Sequence, residues 1–189
     1  MKNLLKKLII ILFLIMFLDS SIHAQEEYIG PLGGDLSFSP MFSYSQIKIS
    51  PGDTKSNSAS LDITIDYYIT RQLSLGVTAT MQGNGESISD SQTLGFMGEA
   101  TYHLQYGKNT RIAPYIGGGA GTITTKTESQ SQNATAYDFF VGIDYYINEK
   151  TSFNMKVKNI LYTIPSEGWG QEDMKYNLSQ LLIGLKIIF

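Results

Sequence analysis

The 189-residue chain contains no cysteine. That excludes a disulfide-stapled scaffold, a Cys-ligated zinc site and a lipoprotein anchored through a cysteine at its cleavage point. Charge is also scarce: Asp, Glu, Lys and Arg make up 16% of the residues, where soluble domains average about 25%. The formal net charge is −3, and it becomes more negative once the early Lys2, Lys6 and Lys7 are set aside. Such a balance leaves no electrostatic footprint for nucleic acid. Beyond residue 24 no apolar run approaches the roughly 18 residues of a spanning helix. Histidine is limited to His23 and His103, and no residues have metal-ligand spacing. What the chain does have is 18 Gly, 12 Tyr and 9 Phe, within a length that suits one domain and a leader.

The leader comes first. A basic start is followed by an unbroken apolar run from Leu8 to Leu18, which Asp19, Ser20 and Ser21 interrupt. Ile22, His23 and Ala24 then offer a small residue at the cut. This is the layout of a secretory signal peptide over 1–24, and the run is short for a spanning anchor. Ile22 is bulkier than the ideal Ala three before the cut. Residues 25–189 form the mature part.

From Gly33 to Phe189 the dominant pattern is a period of two, the mark of strands with one apolar face. Leu61, Ile63, Ile65, Tyr67 and Ile69 alternate with Asp62, Thr64, Asp66 and Tyr68. Four further runs of the same kind cover 73–81, 94–104, 137–147 and 153–157, and the chain closes on Leu181, Ile183, Leu185, Ile187 and Phe189. Two strands are less regular. The first alternates from Leu36 to Tyr44, but Ile47 and Ile49 switch parity. The fifth, 112–121, is rich in Gly and carries Pro114. Proline lacks the ladder donor, so Pro40 and Pro114 each suggest a bulge or a strand end.

The connections at 70–72, 105–110 and 148–150 are tight. Those at 50–60, 82–91, 122–134 and 165–175 are long and polar, and this alternation fits an up-and-down barrel. Ile65-Asp66-Tyr67-Tyr68-Ile69-Thr70 recurs as Ile143-Asp144-Tyr145-Tyr146-Ile147-Asn148, with a blurred copy at 100–105. All three end a strand before a tight turn. They place Tyr67, Tyr102 and Tyr145 where aromatic rings suit a lipid–water boundary. The fold class is therefore all-β, an eight-stranded antiparallel up-and-down transmembrane β-barrel.

Alternation alone does not say which face meets lipid, because a soluble barrel keeps its apolar face inside. Here the polar face is mostly Ser, Thr and Gly, small residues that fit the narrow interior of eight strands. Closure also leaves no open edge, which hydrocarbon would not tolerate. We therefore expect the apolar face outward.

The leader, the Pro114–Gly121 run PYIGGGAG, the DYYI strand ends and the terminal LKIIF resemble the small outer-membrane β-barrel family, of the OmpX, OmpW and OmpA-membrane-domain type. The resemblance covers 25–189. It implies a bacterial outer-membrane location among lipid and lipopolysaccharide, and makes Phe189 similar to the aromatic end read by the barrel-insertion machinery. The peptidoglycan-anchoring role of the periplasmic domain that follows the OmpA barrel is not carried over by the resemblance.

The inward polar set is Asp62, Asp66, Glu99, His103, Asp138, Asp144, Lys156, Lys158 and Lys186. A buried unpaired ion is very costly, so the favoured reading is an ion-pair network that plugs the lumen. A polar passage, with the Gly117, Gly119 and Gly121 stripe leaving free volume, is the alternative. Glu99 lies four residues before His103 on the same face, within reach of a Glu–His contact. Barrel enzymes use a histidine base, but a satisfied interior histidine is favoured. Trp169 sits in the last long loop, an interface anchor or a contact for lipopolysaccharide or a partner. No cofactor is implied. The function expected is non-enzymatic, a contribution to the envelope surface by adhesion, integrity or loop contact with a partner that the sequence does not name. Passage of small or apolar molecules comes second and lipid modification third.

Overall fold

A computed structural model describes residues 29–50, 54–84, 91–104, 111–127, 131–164 and 173–189. The leader and its cut lie outside the described residues, as does Trp169. Eight strands follow one another: β1 (Leu36–Ser50), β2 (Thr54–Tyr68), β3 (Leu73–Asn84), β4 (Ser91–His103), β5 (Ile112–Thr127), β6 (Ser131–Asn148), β7 (Thr151–Ile164) and β8 (Met174–Ile188). Each pairs antiparallel with the next, and β8 pairs back onto β1 to close the barrel. Both ends of the described chain meet at one rim, where the Phe189 N–H donates to the Leu36 carbonyl at 2.9 Å. We call this the terminal end, and the opposite rim the far end.

The period of two decides what each strand buries. On β6, Asp138 and Phe140 are 7% and 1% exposed, while Phe139 and Val141 between them are 60% and 48% exposed. The same alternation turns Phe42, Val77, Phe96 and Ile183 outward and Asp62, Thr78, Glu99 and Lys158 inward. A continuous apolar surface of this kind has no place in water; it is the skin of a barrel whose strands stand in lipid.

Three sequence expectations need correction and one is explained. First, the parity switch at Ile47 and Ile49 is real, and it occurs without a break in β1: the register with β2 is continuous from Leu36↔Tyr67 to Ile49↔Thr54. What changes is the chemistry of the two faces. Outward positions pass from Phe42 and Tyr44 to Gln46 and Lys48, and inward ones from Ser43 and Ser45 to Ile47. The same inversion occurs on β7, where Lys156 and Lys158 give way inside to Ile160, Tyr162 and Ile164. Beyond the lipid band the outside faces water, so the far third is organised like a soluble barrel, apolar within.

Second, the supposed long loops at 50–60 and 122–134 are mostly strand, since β2 begins at Thr54, β5 runs to Thr127 and β6 begins at Ser131. Their outward residues include Asn57, Thr122, Lys126, Ser131 and Asn133, so the apolar signature fades while the hydrogen-bond ladder continues. Third, Pro40 marks neither a bulge nor an end. It stays in register opposite Ile63, and only the ladder toward β8 skips Ser39 and Pro40. Pro114 does lie at a strand end, one residue before β4 pairing begins at His103↔Tyr115. A register shift occurs instead at Tyr146/Asn148, where Ile147 has no partner on β7.

Fourth, the interior glycines leave no free volume. A Cβ on Gly117 would run into the Phe140 ring, one on Gly119 into Asp138 and Glu99, and one on Gly121 into the backbone of Phe96. Gly142 makes the same kind of room for Tyr115, and Gly184 for Met41. At Gly117 and Gly142 the adjacent strand lays an aromatic ring where a side chain would otherwise sit.

Candidate functional site

Every acidic residue of the strands (Asp62, Asp66, Glu99, Asp138 and Asp144) is buried inside the barrel, as are Lys156, Lys158 and Lys186. Their arrangement follows from strand order. Lys158 on β7 reaches Glu99 on β4 at 2.6 Å and Asp138 on β6 at 2.8 Å, with Asp62 on β2 at 4.0 Å. Strands β4 and β2 lie on the far side of the lumen from β7, so this ammonium is a strut across the tube. Lys156 adds a 3.6 Å contact with Glu99 and stands 4.4 Å from the Phe140 ring centroid. With no exposure at Lys158, these partners replace its lost hydration.

A second centre lies nearer the terminal end. Lys186 on β8 contacts Asp144 on β6 at 2.6 Å and donates to the Tyr68 hydroxyl at 3.3 Å. Asp144 also accepts from Asn154 and Ser152, and the Tyr115 hydroxyl donates to Asn154 at 3.0 Å. Tyr68, His103 and Tyr146, the matching positions of the internal repeat, all point inward and are fully buried. The Tyr68 and His103 ring centroids are 5.2 Å apart.

His103 does not meet Glu99, whose carboxylate is taken by Lys158 and Lys156. Its neighbours are the Ser74 hydroxyl, 3.4 Å from Nε2, and Asp144, 3.9 Å from Nδ1. Sequence reasoning missed Ser74, because β3 and β6 are far apart in the chain and no local spacing links them. A serine, a histidine and an aspartate in a row invite a hydrolytic reading. Yet Ser74 and Asp144 have no exposure and His103 only 1%. A cavity beside His103 measures about 10 Å³, room for roughly one water.

Both ends of this core are covered. At the terminal end, Ile29 packs on the buried cluster of Ala113, Tyr146 and Ile188. The segment before β1 is shaped by positive φ at Gly30 and Gly34, and by the Asp35 carboxylate accepting from the Leu32 N–H at 2.7 Å. Glycine populates that backbone region without strain. At the far end, Ile47, Met97, Ile123, Ile160, Tyr162, Ile164 and Leu178 form an apolar cluster inside the barrel. Between cluster and charges lies a hydroxyl and amide layer, with Ser45 on Ser58, Gln82 on Ser58 and Gln180 on Ser60.

On the outer surface, Tyr67, Tyr102 and Tyr145 are 50%, 45% and 45% exposed, and stand near the terminal-end rim. Phe189 is 69% exposed at that rim. Among the described residues, no group of His, Asp and Glu is arranged to hold a metal ion, and no helix is long and apolar enough to cross a membrane.

Solved structures share this architecture. Neisserial surface protein A is 14% identical with a TM-score of 0.67, covering 82% of this chain and 98% of that one. The outer membrane protein OprG from Pseudomonas aeruginosa is 18% identical with a TM-score of 0.56, covering 86% and 99%. Ail, the attachment invasion locus protein of Yersinia pestis, is 16% identical with a TM-score of 0.51, covering 82% and 100%. No curated protein sequence matches the chain. At these identities the likeness is one of fold. Residues 10–189 match the family model of the outer membrane protein beta-barrel domain, and the chain belongs to that family.

Proposed function

We propose that this protein is a non-enzymatic outer-membrane barrel whose lumen is sealed and whose work is done at the envelope surface, by adhesion, integrity or partner contact through the connections at the far end. The observation that carries this reading is the Lys158 strut. A solute moving along the axis would have to part Lys158 from Glu99 and Asp138, and breaking a buried pair costs about 3–5 kcal/mol. The apolar cluster beyond it would resist wetting. Surface roles are named for two structural neighbours, a surface protein and an attachment invasion protein, and the fold is compatible with such a role.

Planar-bilayer recordings on purified, refolded protein test the proposal. No discrete conductance steps are expected. Reproducible unitary steps would move the assignment to passage of small molecules.

The row Ser74–His103–Asp144 is the one observation that favours an enzyme. It is closed to substrate on every side, and Asp144 is occupied by Lys186. Replacing Ser74 by Ala should leave purified protein unchanged in any lipid-ester hydrolysis assay. A hydrolytic rate that vanished in Ser74→Ala would reverse the assignment.

A further inference from the structure

We infer that residues 29–35 are a releasable latch across the terminal mouth of the barrel. The latch docks only once the barrel has closed, and its release admits water to the Lys186–Asp144 centre. The inference rests on the sealed-lumen reading above and adds how one end of that lumen is kept shut.

The segment before β1 leaves the wall on one side and lands on the other. Its root is on β2: the Gly34 N–H donates to the Tyr68 carbonyl at 2.8 Å, and the Tyr68 N–H donates to the Asp35 carbonyl at 2.9 Å. Its tip, Ile29, packs on Ala113 of β5, Tyr146 of β6 and Ile188 of β8, all three buried. In the strand order β5 and β6 stand across the lumen from β1 and β2, so the arm crosses the mouth. Gly30 and Pro31, next to the tip, are buried as well. The landing place draws on three strands, the last of them β8. It is complete only when β8 lies on β1 and the Phe189 N–H reaches the Leu36 carbonyl. Docking therefore follows closure.

The arm is built to hinge. Positive φ at Gly30 (125°) and Gly34 (100°) sets a bend at each end of it, in a backbone region that glycine enters without strain. A Cβ placed on Gly34 would meet nothing within 4 Å, so glycine stands there for its backbone and not for packing. Between the bends the Leu32 N–H donates to the Asp35 carboxylate at 2.7 Å, and the Asp35 N–H donates to the Leu32 carbonyl at 3.2 Å. The turn thus keeps its shape through its own bonds, while the tip is held by the apolar contact of Ile29. A segment anchored by few buried contacts opens locally at a much lower free energy than the whole fold. Beneath it lies the polar centre: Ala113 is the register partner of Asp144, which holds Lys186 at 2.6 Å. Lifting Ile29 bares Ala113 and Tyr146, and with them the carboxylate alongside.

Because the chain has no cysteine, Ala113→Cys can report on the mouth of the barrel in nanodiscs, through its rate of reaction with a water-soluble maleimide. Behind the native latch the thiol is expected to stay protected, since Ala113 is 1% exposed. Two further variants release the latch: Gly34→Val strains the bend without a clash, and Ile29→Asp removes the apolar tip. Each should speed labelling about tenfold by shifting the local opening equilibrium. Ala136→Cys, buried in the far-end cluster, should stay unlabelled throughout, and the gel mobility of the folded barrel should not change. Fast labelling of Ala113→Cys behind the native latch would overturn the inference, as would unchanged protection in both latch variants. Equal labelling of Ala136→Cys would overturn it too, since the whole barrel would then be opening. Loss of folding in both latch variants would have the same force, because a releasable latch is dispensable to the barrel. Unitary steps in bilayer recordings with Ala113→Cys protected would defeat the sealed-lumen reading alone. A reactive Ala113→Cys in an electrically silent barrel would defeat the latch alone.

Discussion

An ammonium without solvent exposure persists only where neighbours take over from water, and Lys158 has Glu99 at 2.6 Å and Asp138 at 2.8 Å to do so. Replacing it by Met would strand Asp138 and leave Glu99 with only the longer contact to Lys156. Lys158→Met should cost about 3–5 kcal/mol, read as a shift in the urea unfolding midpoint of the reconstituted barrel. Adding Glu99→Gln should recover part of that loss by removing one weakly paired charge; a double variant whose loss equals the sum of the losses of its singles would argue against direct coupling. Gly117 gives a second residue-scale test. Its missing Cβ is the space that Phe140 occupies, so Gly117→Val should destabilise by about 1–3 kcal/mol through overpacking. Phe140→Ala in the same chain should relieve the part due to the ring, while the Ala100 carbonyl oxygen, 2.6 Å from where the Cβ would sit, still crowds it. If Gly117→Val is neutral, the interior is looser than the packing implies.

At the scale of the strand, hydrophobic alternation inverts between the lipid band and the far third. Val141 lies on β6 between Ile143 and Phe139, amid the apolar band, and is 48% exposed. Thr163 stands near the far end of β7, beyond the inversion. Val141→Arg should destabilise the reconstituted barrel by about 2–4 kcal/mol, and Thr163→Arg by about 0–1. Equal costs would mean that the band has been misplaced. This inversion also explains what could be read from the chain. Strands such as 61–69 and 137–147 were legible where the outer face meets lipid, because there apolar and polar residues strictly alternate. The far third was not. Outward Lys48, Thr124 and Asn133 look like loop residues when read alone, and inward Ile47 looks like a slip of register. The ladder that unites them involves strands distant in the chain. The polar lumen residues were legible by parity, but their partners were not: nothing near His103 in sequence announces Ser74, and the Lys158–Glu99 contact joins residues 59 apart.

At the scale of the molecule, a closed sheet satisfies every strand edge, and the two faces divide the solvent requirements between them. Lys156, Lys158 and Lys186 pair with Glu99, Asp138 and Asp144 in the lumen, while Phe42, Val77, Phe96, Phe139 and Ile183 cover the outside. Ile29 packs on the buried cluster at the terminal end, and a second apolar cluster fills the far end. The proposed surface function and the proposed silent lumen both depend on that division.

Because the chain has no cysteine, single cysteines can be introduced one at a time along β6, from Tyr137→Cys to Tyr145→Cys, and spin-labelled in reconstituted vesicles. Collision rates with oxygen, which concentrates in lipid, should rise at 137, 139, 141, 143 and 145 and fall at 138, 140, 142 and 144. The reverse alternation, with the label at Val141→Cys shielded and that at Phe140→Cys in lipid, would contradict the account at its base.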